Sequence, residues 1–161
     1  MSRVARSARV ASRQRPEIIT ADKTIQSAET GELYLINHTA GSALTLTLPP
    51  VQDGAYFRFE FMTAMNAVNS KVNIVTSNGA GTLKGTIVNY LYTVGSGDAE
   101  VATNKDAGSQ VICYSGSISG QPANTIHVGT YLDLYCDGTN WQASGMTIAS
   151  HLSASVFHTA E

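Results

Sequence analysis

Arg3, Arg6, Arg9, Arg13 and Arg15 crowd the first fifteen residues, with no acid among them. Guanidinium groups are permanently charged planar forks that grip carboxylates and phosphates. The chain has ten Lys and Arg in all, so half of them sit in this short segment, while the remainder holds all twelve acids. Charge segregated in this way marks an arm that engages something other than its own domain. Free polar termini stay disordered unless something ties them down, so the arm is expected to find its order on a neighbouring subunit or another protein. The spacing of 3, 3 and 4 puts Arg3, Arg6, Arg9 and Arg13 on one helical face, with Val4, Ala5, Ala8 and Ala11 over part of the rest. A helix this short is marginal alone in water and needs a partner to form. Pro16 disfavours helix at Arg15 and sets the boundary.

Two anions compete for the arm. Five arginines can neutralise a handful of phosphates. No aromatic is interleaved with them, however, and the body is acidic, which argues against a nucleic-acid surface and for an acidic protein surface. The arm's Arg and Ser content also resembles a mitochondrial transit peptide, a reading that fails if Met1 onward belongs to the mature particle.

Elsewhere the chemistry-bearing residues are dispersed. His38, His127, His151 and His158 are far apart and read as surface or subunit-contact histidines. Asp53, Asp98 and Asp137 each neighbour a glycine, where Asp makes the turn itself. The Gly-rich pieces lack the lysine and helix of a phosphate loop, and Ser115-Gly116-Ser117 forms no nucleophile elbow. Cys113 and Cys136 are isolated in apolar runs and read as buried free thiols, with no metal-ligand spacing around them. No catalytic, cofactor or metal residue is therefore assigned, and no enzyme is expected. Tyr56, Tyr131, Tyr135 and Trp141 are the candidates for subunit or receptor contact, because aromatic side chains with one polar end suit interfaces. For Trp141, just after a DGTN turn, packing at the hairpin base is the favoured alternative to stacking on a sugar.

The elements that must position these residues read as strands. Leu44, Leu46 and Leu48 alternate with threonines, and Phe57, Phe59 and Phe61 alternate with Tyr56, Arg58 and Glu60. This is the period of half-buried strands, with the three phenylalanines at the centre of the core. Residues 17–37 read as two strands around the turn Glu29-Thr30-Gly31-Glu32. From Ile126 to Cys136 one period-2 phase runs apolar on the even positions, bent at Gly129, before the Asp137-Gly138 hairpin turn. The spacing predicts one all-β domain over residues 17–161, an antiparallel β-sandwich or jelly-roll-like barrel, preceded by the arm at 1–16, extended or partly helical. No run approaches the length of a transmembrane helix, so no membrane partner is expected.

Two stretches carry a resemblance. LTLPPVQDGAYFRFEF (46–61) joins an apolar strand, a Pro pair, a DG turn and an aromatic strand, and YLDLYCDGTNWQASG (131–145) joins a strand, DGTNW and a return strand. They resemble elements of bacteriophage head decoration (cement) proteins and of short tail-fibre or spike modules, over about a third of the chain. The resemblance implies a structural virion protein and a β-rich homotrimer on the outer surface of the phage head, made in the host cytoplasm. Its arms would reach onto the major capsid protein. The chain lacks a coiled-coil or collagen-like stalk, which favours the compact decoration protein. The alternative is a short fibre or adaptor whose loops bind a host glycan.

Overall fold

The computed structural model describes residues 16–77, 81–91, 99–100, 111–115, 125–150 and 155–158. The basic arm, with Arg3, Arg6, Arg9, Arg13 and Arg15, lies outside the described residues. Twelve strands form among them: β1 (Glu17–Ile19), β2 (Lys23–Thr24), β3 (Leu33–Ile36), β4 (Ala43–Thr47), β5 (Tyr56–Phe61), β6 (Lys71–Val75), β7 (Leu83–Leu91), β8 (Ala99–Glu100), β9 (Val111–Ser115), β10 (Tyr131–Cys136), β11 (Trp141–Ala149) and β12 (Ser155–His158). The chain is mostly β, as its alternation predicts. No helix of the described residues is long and apolar enough to cross a membrane.

The strands form a seven-stranded sheet, β1-β3-β5-β10-β11-β7-β8, and a five-stranded sheet, β12-β9-β6-β4-β2. The first six strands alternate between the two, and each joins its predecessor in parallel: β1, β3 and β5 in the larger sheet, β2, β4 and β6 in the smaller. The chain thus makes three passes, laying one strand in each sheet per pass. A parallel neighbour needs a crossover, and here a strand of the opposite sheet supplies it. The β7–β11 pair is also parallel. The expected antiparallel architecture is therefore corrected to two mixed sheets. The two-strand reading of residues 17–37 is corrected too, since β2 leaves the sheet that β1 and β3 share. Alternation has the same period whichever way a neighbour runs, so periodicity does not report it.

The core forms where the predicted inward phases meet. Leu44, Leu46, Leu48, Val72 and Ile74 from the smaller sheet and Ile36, Phe57, Phe59, Phe61, Leu132 and Leu134 from the larger belong to one buried cluster. Tyr34 stacks on Phe59 with ring centroids 5.3 Å apart. The Asp137-Gly138 turn forms as expected. Gly138 takes φ +87°, and the Asp137 carboxylate accepts the Thr139 and Asn140 amides at 2.9 and 2.7 Å. Cys136 is free and buried, and the Gln52 amide points at its Sγ at 3.2 Å. The side chain of Cys113 lies outside the described residues. His38 is buried rather than on the surface, its Nε2 2.8 Å from the Ser42 carbonyl oxygen. Val128, on the predicted inward phase, is 57% exposed. Gly129, at φ +91°, turns the chain there, and the even positions are buried again from Thr130 through β10.

A charged cluster closes the core at the end where the chain enters the sheets. Lys23 Nζ lies 2.7 Å from both Glu17 Oε2 and Glu29 Oε1, and 5.2 Å from the centre of the Tyr34 ring. An inward-directed charge on an edge strand also discourages strand addition there. Burial would raise the Glu29 carboxyl, but the Gln26 amide and Lys23 outweigh it and hold it below its ordinary value of 4.5. Lys23 is shifted the other way, above 10.5: burial lowers it, and its bonds to Glu17 and Glu29 more than offset that. The Glu29 contribution to stability is thus complete above pH 4.5 and is lost as pH falls through the lowered folded value. The Lys23 contribution is complete below pH 10.5 and is lost as pH rises through the raised one. Thermal melts of Lys23→Met are expected to show about 1 kcal/mol of destabilisation at pH 7. The difference from wild type should shrink as pH falls through the lowered Glu29 value.

Candidate functional site

The strand registers of the larger sheet assemble the candidate site on its outer face. Tyr56, Arg58 and Glu60 point outward from β5, and Tyr131, Asp133 and Tyr135 from β10. The two strands are antiparallel neighbours with Tyr56 beside Tyr135, Arg58 beside Asp133 and Glu60 beside Tyr131. The Tyr56 hydroxyl donates to Asp133 Oδ1 at 2.6 Å, and Arg58 Nη1 donates to Asp133 Oδ2 at 3.3 Å. The Arg58 guanidinium also lies over the Tyr131 ring, 4.7 Å from its centre, and its Nε is 4.0 Å from Glu60. Arg58 is thus held on three sides, which lowers the entropy it would lose on meeting a partner. Burial, then the Asp133 carboxylate, raise the Tyr56 hydroxyl above its ordinary pKa, only partly offset by Arg58, so it remains a protonated donor.

This face continues onto the flanking strands. Outward residues of β11 and β7 lie in the same rows: Gln142 beside Lys84, Ser144 beside Thr86, Met146 beside Val88 and Ile148 beside Tyr90. On the other flank, Leu33 lies beside Arg58, Leu35 beside Glu60, and Ile18 beside Leu35. A polar, aromatic half therefore adjoins a band that runs from Val88 and Met146 through Tyr131 and Glu60 to Leu35 and Ile18, apolar apart from Glu60. Ile18 is 54% exposed and Tyr135 46%. The outward positions described on the smaller sheet, Thr45, Thr47 and Asn73 among them, are mainly polar. A half-buried, largely apolar band beside polar residues, with several tyrosines and one braced arginine, has the composition of a protein-contact surface.

Three of the four aromatic candidates, Tyr56, Tyr131 and Tyr135, meet on this one face. Trp141 does not, and its assignment as a subunit or receptor contact is corrected. It lies on the inward phase of β11, is 0% exposed, and packs on Phe57 with ring centroids 5.8 Å apart. The backbone explains this: the Trp141 amide donates to the Thr82 carbonyl at 2.9 Å, and the residue pairs with inward Leu83 and Cys136. The host-glycan reading loses its indole. The sequence reading missed the band from Val88 to Ile18, because its members come from six separated strands. Arg58 and Asp133 were visible on outward phases, but only register shows them adjacent. Among the described residues no group of three His, Cys, Asp or Glu is placed to hold a metal ion. No protein-family model, no curated protein and no solved structure matches this chain.

Proposed function

We propose that this chain is a structural virion protein, a capsid decoration (cement) protein. In this reading its two sheets pack as a β-sandwich and its basic arm grips the assembled major capsid protein shell. The observation that carries it is the outer face of the larger sheet. Arg58, Tyr56, Tyr131 and Asp133 brace one another there on one side of the sheet, a form suited to docking on protein. The arm adds guanidinium forks for carboxylates on the shell. Binding only the assembled shell stabilises it by mass action. Several arms on one docked particle would bind at high effective concentration.

The test removes residues 1–15 and measures occupancy on assembled shells of the cognate capsid protein, together with the shell's thermal transition. The apparent dissociation constant is expected to rise at least about tenfold, with loss of the added shell stability. Full occupancy with unchanged shell stability would overturn the role of the arm.

A further inference from the structure

We propose that the outer face of the seven-stranded sheet pairs two copies of this chain about a two-fold axis. The inference rests on reading that face as a protein-contact surface and names its occupant, a second copy. The six strands β1-β3-β5-β10-β11-β7 have their midpoint between β5 and β10. A two-fold axis running along the strands at that midpoint lays each row of side chains on the same row of the second copy. It exchanges β5 with β10, β3 with β11 and β1 with β7.

The rows are complementary under that exchange. Arg58 comes opposite Asp133 of the second copy, and Asp133 opposite its Arg58, because the two are cross-strand neighbours here. Tyr56 comes opposite Tyr135. In the apolar band Leu35 comes opposite Met146, and the exposed Ile18 opposite Val88, since each pair shares the row of Glu60 and Tyr131. Packed sheets are rotated by about 30° through their twist, so opposition is closest on the two central strands, where the charges are.

Charge also selects the occupant. The body is acidic overall, so copies repel one another over most of their surface. On this face Arg58 and Lys84 balance Glu60 and Asp133, and the contact is neutral. Size comes close as well. Outward positions about 4.8 Å apart across the strands and about 6.8 Å apart along them, four each on β7 and β11, three each on β5 and β10, two on β3 and one on β1, span roughly 550 Å². A specific contact buries about 600–1,000 Å² per partner. One face meeting itself is an isologous contact and closes as a dimer, unlike the homotrimer that the resemblance implies.

Light scattering and sedimentation on the full chain test this at about 100 μM, a concentration that populates even a micromolar dimer. The expected mass is twice the 17.0 kDa of one chain. Met146→Lys and Arg58→Asp should each weaken the dimer at least about tenfold. Arg58→Asp combined with Asp133→Arg should restore it. Because the swap also restores the ion pair within one copy, thermal melts of each single variant separate a loss of fold from a loss of dimer. Met146→Lys, which leaves that pair intact, should weaken the dimer with its melt unchanged. A monomeric wild type, a trimer, or a dimer indifferent to both single variants overturns the proposal. Shell binding is measured separately: a monomeric wild type that still occupies shells would sink this inference and leave the decoration role standing.

Discussion

Trp141→Ala is expected to destabilise the protein by about 3–5 kcal/mol, the loss typical of emptying a large buried aromatic site. Trp141 is fully buried in the shared core and touches Phe57 on β5. Its neighbours Cys136 on β10 and Leu83 on β7 are also buried. These are strands of a rigid sheet that relax poorly into a cavity of that size. Trp141→Phe keeps the ring contact and should cost less than half as much. Urea unfolding followed by circular dichroism reads both, because the variants remove the chain's single tryptophan as a fluorescent probe. A surface stacking residue would change stability by no more than about 0.5 kcal/mol. A loss that small would refute the core assignment and return Trp141 to the list of receptor contacts.

Gly85→Ala is expected to have an effect of similar size, by a different route. Gly85 sits inside β7 at φ +138°, beside Ala143 of β11. A Cβ there would overlap the Ala143 carbonyl, which belongs to the backbone and has no rotamer to change. Substitution therefore has to part β7 from β11 in the middle of the sheet. We expect a loss of at least about 3 kcal/mol, with strain and disrupted pairing combined, and a sharp fall in soluble yield. Gly31→Ala is the control. Gly31 has φ +90°, but a Cβ there meets nothing within 4 Å. Only the conformational term applies, about 1 kcal/mol. Equal melting temperatures for the two variants would contradict the close approach of β7 and β11.

Much of the candidate face was written in side-chain phases. Tyr56, Arg58 and Glu60 alternate with three phenylalanines, and Tyr131, Asp133 and Tyr135 with Leu132, Leu134 and Cys136. Each segment therefore announced which residues share a side. The assembly of the two segments was not announced. Arg58 and Asp133 are 75 residues apart, and only the β5–β10 register makes them an ion pair. The flanking band was further from view, since Met146 and Ile148 fall in a stretch with no clean alternation: Gly145 interrupts it, and Thr147 takes a buried position. Trp141 was legible as well: packing at the hairpin base is the favoured reading for a residue just after the DGTN turn, and β11 begins there with its first side chain pointing inward.

The sequence by itself determined the secondary structure class, the inward phases of Leu44 to Leu48 and Phe57 to Phe61, the Asp137-Gly138 turn and the charge contrast between arm and body. These are local properties, set by backbone sterics and by whether alternate side chains are apolar. Only the tertiary structure decided that the first six strands alternate between two sheets in parallel passes, and that six strands distant in sequence build one contact face. Strand neighbours are chosen by the packing of the whole core. Period-2 alternation is the same for every neighbour and direction, so that choice leaves no local trace.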